Sequence, residues 1–132
     1  MKGVRERYIK NEYIEMWIED GVLFGRYFER AIIDIDSAIK VFEDREKISE
    51  GKSYPILADG RGVKYWTKAA RDFQNGEKNC RLMKAGAGII PGPIIGIIAN
   101  FYLKIQKPII PTRFFTSVED GLKWLEQFKD KT

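Results

Sequence analysis

The side chains that could do chemistry lie in three places. Asp59, Arg61, Lys68 and Arg71 fall around the end of one short apolar run and the start of the next helical stretch. An acid among three cations can bind an anion or a partner, and open α/β sheets gather ligands at the carboxyl ends of their strands. The competing reading is a salt-bridged surface. Gly86, Gly88, Pro91, Gly92 and Pro93 have the outline of a phosphate-cradling turn. Their spacing fits neither the dinucleotide fingerprint nor a P-loop, and Pro91 and Pro93 remove two of the amides such a turn needs. Close packing of helix on strand explains the small residues better. Cys80 stands near Lys78 and Arg81, cations that can activate a thiol. A buried or semi-buried helical cysteine is the plainer reading.

What is missing narrows the chemistry further. The chain has no histidine and one cysteine. Ser-His-Asp and Cys-His nucleophile systems are therefore excluded, the commonest transition-metal ligand is absent, and no intrachain disulfide can form. A structural zinc site has no ligand set. Asp34 and Asp36 read as helix caps and Glu15 and Glu19 as exposed strand positions, so no carboxylate pair suggests acid–base work. The expectation is a non-enzymatic protein with no cofactor and no metal. An enzyme using Asp59, Lys68 or Cys80 is the least supported alternative.

These residues must be held by a framework, and the 132-residue chain has the size of one domain. Its 44% hydrophobic and 32% charged content is that of an ordinary globular protein. The net charge of +4 is mild, and bases alternate with acids as on a solvated surface, so no nucleic-acid partner is implied. The start, Met-Lys-Gly-Val-Arg-Glu-Arg, is charged throughout and carries no secretory pattern, which points to a reducing cytoplasm. The run from Ala85 to Leu103 is uncharged apart from its flanks, but Pro91-Gly92-Pro93 divides it into pieces too short to span a bilayer.

Taken in order, residues 1–12 read as a polar arm and 13–130 as a single domain. Tyr13 to Glu19 alternates, Asp20-Gly21 is a strong hairpin signal, and Val22 to Phe28 returns. A helix capped by Asp34 or Asp36 runs to Gly51, followed by a buried strand, Tyr54 to Asp59. Thr67 caps a short helix. Glu77 to Lys84 reads as two further helical turns. Then come a strand from Ala85, an apolar helix from Pro93 to Ile105, a strand ending at Phe115, and a helix capped by Ser117 with Val118, Leu122, Leu125 and Phe128 on one face. The pattern is an α/β fold: an N-terminal β-hairpin leading into a right-handed (βα)4 unit with a mixed, mostly parallel five-stranded sheet. If each strand is added beside the last, every helix falls on one face. The other face then carries large side chains such as Tyr13 and Trp17.

The segments Tyr54-Pro-Ile-Leu-Ala-Asp59, Ala69-Ala70-Arg71, Ile98 to Lys104, Lys107-Pro108 with Pro111 to Phe115, and Trp124-Leu125 give this order a family likeness. Across residues 12 to 129 the chain resembles the STAS domain of anti-sigma-factor antagonists, and more closely the small uncharacterised bacterial STAS-like proteins. The resemblance implies a regulatory, protein-binding module that uses the loop and helix after the Tyr54–Asp59 strand. Classical members carry there an Asp-Ser-Ser-Gly-like motif whose serine is phosphorylated. Thr67 falls near that position, but the preceding acid and following glycine are absent, which favours Thr67 as a plain N-cap.

The helix 93–105 is the remaining oddity. Ile94, Ile97, Ile98, Phe101 and Ile105 make one apolar face, and Ile95, Ala99 and Tyr102 a second. A helix apolar nearly all round must be covered all round. Neighbouring helices, a second protomer or an apolar ligand can do so. The expectation is a homodimer, with Trp17, Ile95, Ile98 and Tyr102 as contact candidates and an unidentified protein partner as a further possibility. The alternative is a carrier or sensor of a small apolar ligand beneath the helix. Asn100 is expected to hydrogen-bond a neighbouring loop or partner. Arg113 must reach solvent or pair, with Asp59 one available mate.

Overall fold

The hairpin at the start sets the sheet. Strands β2 (Ile14–Glu19) and β3 (Val22–Tyr27) pair antiparallel across Asp20-Gly21. Both turn residues have positive φ, 51° and 76°, as a two-residue turn matched to strand twist requires. A computed structural model describes residues 4–130. Of the expected polar arm, residues 1–3 lie outside that range, and Glu6–Lys10 is not an arm but strand β1, paired antiparallel with β2. Its polar sequence suits an edge strand, where one row of backbone groups faces water. A bulge at Arg7 (φ 53°) interrupts the pairing, and the Arg7 guanidinium donates to the Ile48 carbonyl at 2.8 Å.

Helix α1 (Ile35–Ser49) follows. Asp34 caps it by accepting from the Ser37 amide at 2.9 Å, and it ends on left-handed Glu50 and Gly51. Strand β5 (Tyr54–Asp59) comes next, flanked by a minor parallel pair, β4 (Ile32–Ile33) and β6 (Tyr65–Trp66). The helices α2 (Lys68–Gln74) and α3 (Glu77–Cys80) lead into β7 (Met83–Ile89). The expected two turns to Lys84 shrink to one, because Leu82 takes a left-handed φ of 65° and Met83 already belongs to the strand. Helix α4 (Pro93–Ile105), strand β8 (Thr112–Phe115) and helix α5 (Val118–Leu125) complete the chain.

The main sheet has the order β1-β2-β3-β5-β7-β8, with β3 to β8 parallel. The expected mixed sheet is therefore present, with β1 as a sixth strand. Residues alternate between two cores. Tyr54 and Ile56 of β5 pack with Ile14, Met16, Val41 and Ala70 under α1 and α2, whereas Leu57 packs with Val22, Ala87 and Leu125 under α5. So α5 lies on the face opposite α1 and α2, not on the same face. It follows the last strand and leads to no other, so the right-handed crossover rule does not place it.

The approach of α5 depends on one residue. Gly121 is buried, and a Cβ there would lie 3.0 Å from Ile89 Cδ1 and 3.4 Å from Leu57 Cδ1. The mid-helix glycine costs about 1 kcal/mol in propensity, and close contact with β5 and β7 offsets that. Gly121→Val is expected to lower unfolding stability by roughly 1–3 kcal/mol through overpacking. Urea titration followed by far-UV circular dichroism checks this; an unchanged midpoint would show that α5 is free to shift.

Candidate functional site

The sequence-predicted cluster at the end of β5 does not form a single site. Asp59 and Arg61 satisfy each other: the Arg61 side chain donates to the Asp59 carboxylate at 2.6 and 2.9 Å, and the Arg61 amide does so at 3.2 Å. Burial acts to raise the Asp59 pKa, but the hydrogen bonds from Arg61 and its charge together hold the carboxyl below its ordinary value. Lys68 pairs with Asp72 at 2.9 Å on the exposed side of α2. Arg71 donates to the Trp66 carbonyl at 2.7 Å. Thr67 caps α2, its hydroxyl accepting from the Ala70 amide at 3.1 Å. Each of these five side chains already has a partner.

A second polar strip escaped the sequence reading. Glu15, expected to be exposed, is buried, and it stands in register with Arg26, which stands in register with Asp59. The Arg26 guanidinium donates to Glu15 at 2.8 Å, and the Tyr8 hydroxyl donates to it at 2.6 Å. The Tyr8 bond lowers the Glu15 pKa most; burial opposes it and Arg26 reinforces it. Only the position of β1 reveals this, because Tyr8 comes from that strand.

The apolar candidates divide. Trp17 is not available to a partner: it is 6% exposed, stacked on Phe24 at 5.3 Å and covered by Arg5 at 3.9 Å. Ile95, Ile98 and Tyr102 are 52%, 63% and 56% exposed on α4. The side of α4 that meets the domain carries Gly96, Ala99, Asn100 and Leu103, the least exposed residues of the helix. These recur at helical spacing, but apart from Leu103 they are small or polar rather than large and apolar. Asn100 does the anchoring. Its amide donates to the Phe114 carbonyl at 3.1 Å and its oxygen accepts from the Phe114 amide at 2.9 Å, so one side chain acts as a neighbouring strand would. Arg113 is not paired with Asp59, whose mate is Arg61; it lies over the Phe115 ring at 5.5 Å.

A cavity of about 250 Å³ opens on the α1–α2 face of the sheet. Its floor includes Gly86 and Gly88, whose lack of side chains leaves the space, together with Met16, Ile56 and Phe114. None of the α4 residues lines it, so it lies beside that helix rather than beneath it. Its polar end carries Arg45, Trp66, Gln74, Asn79 and Cys80. Burial pushes the Cys80 thiol up, with Arg45 pulling it partly back, so this is not an activated nucleophile. Tyr27, also in the wall, is pushed up to about 12 by burial, against the pull of Arg45 and the Gln74 hydrogen bond. Among the described residues no group of three His, Cys, Asp or Glu side chains is placed to hold a metal ion, and no helix is long and apolar enough to cross a membrane.

The strand order and the two-sided helix arrangement define a SpoIIAA-like, that is STAS-like, α/β domain. A solved structure shares it: an uncharacterised protein of the DUF3478 family with a SpoIIAA-like fold, from Shewanella loihica PV-4. It aligns with a TM-score of 0.63 and 16% identity, over 89% of this chain and 98% of that one. Residues 16–129 match a domain of unknown function, DUF7793, and the chain belongs to that family. No curated protein matches it.

Two substitutions probe these contacts. A lowered folded-state pKa means that Asp59 contributes stability above the unfolded value of about 3.9, and that this is lost as pH falls through the lower folded value. The stability gap between the wild type and Asp59→Asn is therefore expected to be full near neutral pH and to close below about pH 4; denaturant titrations across pH measure it. Asn100→Ala is expected to cost about 1–3 kcal/mol by orphaning the Phe114 backbone groups. Hydrogen exchange at the Phe114 amide should accelerate selectively, and an unchanged rate there would contradict the strand-mimic role.

Proposed function

We propose that this chain is a non-enzymatic interaction module that self-associates through α4. The observation that carries the reading is the outer surface of that helix. Ile94, Ile95, Ile97, Ile98, Phe101, Tyr102 and Ile105 are all between 52% and 72% exposed. Burying such side chains is worth about 1.5–3 kcal/mol each, so a contact that covered most of them would recover on the order of 10 kcal/mol. That is comparable with the cost of ordering two proteins against each other, estimated at about 4–15 kcal/mol. The surface has no charge from Pro93 to Leu103, which makes a second copy of the same helix its natural complement. A two-fold pairing of antiparallel helices would bury this patch on both chains and keep Lys104 of each away from the other.

The non-enzymatic part rests on the state of the groups available for catalysis. Asp59 is tied to Arg61, Lys68 to Asp72, and the Cys80 thiol is raised rather than lowered. A second reading, a carrier or sensor of a small apolar ligand, is favoured by the cavity over Gly86 and Gly88.

Native mass spectrometry and light scattering of the purified chain test the first reading. The wild type is expected to be a dimer, and Ile98→Asp, at an exposed position, is expected to weaken dimerisation by at least about tenfold, or 1.4 kcal/mol, with an unchanged circular dichroism spectrum. A monomeric wild type, or a dimer indifferent to Ile98→Asp, would sink the proposal.

A further inference from the structure

We infer that the cavity is a binding site for a small amphipathic carboxylic acid, its apolar body on the glycine floor and its carboxylate on Arg45. This builds on the ligand reading above and adds the chemistry of the head group.

Arg45 is the reason. It sits on α1 with only 5% of its surface exposed, and it lines the cavity. One terminal nitrogen, Nη2, donates to Asn79, to the backbone carbonyl and to Oδ1, the latter at 3.0 Å. The other, Nη1, is buried with no hydrogen-bond partner. Among the described residues no carboxylate bonds this guanidinium directly: Glu46, next in sequence, pairs through Oε1 with Arg81, and its charge reaches Arg45 only through space. A buried cation with no directly bonded carboxylate is costly, and an arginine cannot shed its charge as a lysine can. Such a group is stabilised by an incoming anion, and a carboxylate is the planar anion that a guanidinium fork matches best.

Trp66 supplies a second donor. Its Nε1 is also buried without a partner, and its ring lies 5.6 Å from that of Tyr27, another wall residue. The two orphan donors therefore belong to residues that line one hollow, whose strand-borne lining is apolar apart from Thr112 and the Tyr27 hydroxyl. Most native buried donors are satisfied, so two left open beside the same space mark where a ligand's acceptors belong. The volume lies just under the range of about 300–1,000 Å³ usual for drug-sized ligands. That selects a compact acid over a long-chain lipid.

The test compares octanoate with octanamide, which keeps the chain and removes the charge, and with inorganic phosphate, a bare anion. Calorimetric titration of the wild-type chain is expected to give saturable octanoate binding at least about tenfold tighter than octanamide, and none with phosphate. The Trp66 indole N–H resonance should shift on adding octanoate. Arg45→Met should erase the preference for octanoate. Gly86→Leu fills the floor, where an added Cβ meets only ordinary contacts at 3.8 and 3.9 Å; it should abolish binding of both probes while leaving Arg45 in place. Equal affinity for octanoate and octanamide would overturn the carboxylate assignment and leave the ligand reading standing. No saturable binding of either, or octanoate binding indifferent to Gly86→Leu, would overturn both. Tight phosphate binding would overturn the amphipathic site in favour of a bare anion pocket.

Discussion

The structure depends on how little strand β7 brings to either side of the sheet. Its sequence alternates Ala85-Gly86-Ala87-Gly88, with every second residue facing the same way. On the alanine side, α5 descends until Gly121 meets Ile89 and Leu57. On the glycine side the Phe114 ring fills the place of a Gly88 side chain, a Cβ there coming within 2.6 Å of it, whereas the space over Gly86 meets only Met83 and Ile110 at 3.8 and 3.9 Å. One strand thus produces a tight helix contact on one face and a hollow on the other. Large β-branched residues in its place would serve a buried parallel strand better by propensity, but they would push α5 away and close the cavity.

The same economy governs α4. An amphipathic helix normally turns its large apolar residues inward. Here the inward stripe is Gly96, Ala99, Asn100 and Leu103, and the bulky isoleucines point out. The helix is fastened to strand β8 by two hydrogen bonds from one amide. Its apolar surface is exposed, while the cavity and the buried Arg45 guanidinium belong to the interior. The two features occupy different parts of the molecule and draw on different forces, one on hydrophobic area and the other on charge.

Much of the architecture could be read from the residues. Asp20-Gly21, Asp34, Thr67 and Ser117 act where local chemistry says they must, because turns and caps depend on a few adjacent atoms. The strand Tyr54–Asp59 and the helix Pro93–Ile105 have the expected bounds for similar reasons. What was not legible depended on long-range placement. Strand β1 is polar and became visible only through its pairing with β2. The burial of Glu15 follows from β1, and the covering of Trp17 from Phe24 and Arg5. The side taken by α5 is not encoded in its own amphipathicity. The composition of the apolar helix marks it as unusual, but which face turns inward depends on contacts with β8, the Asn100 bonds among them. A helical arginine is ordinarily solvated, and only the tertiary fold makes Arg45 buried.

The Asn100 side chain also occupies one border of the sheet. Strand β8 is the last in the sheet, and its outward-facing amide and carbonyl at Phe114 are already engaged. At the opposite margin, β1 is bent by its bulge. Neither border presents a straight row of free backbone groups, so open-ended, fibre-like growth by strand stacking is obstructed at both. An assembly joined instead through helix surfaces can close on itself after a fixed number of members. Asn100 thus closes the β8 border from the inward side of α4, while the exposed isoleucines of the same helix stay clear of that border.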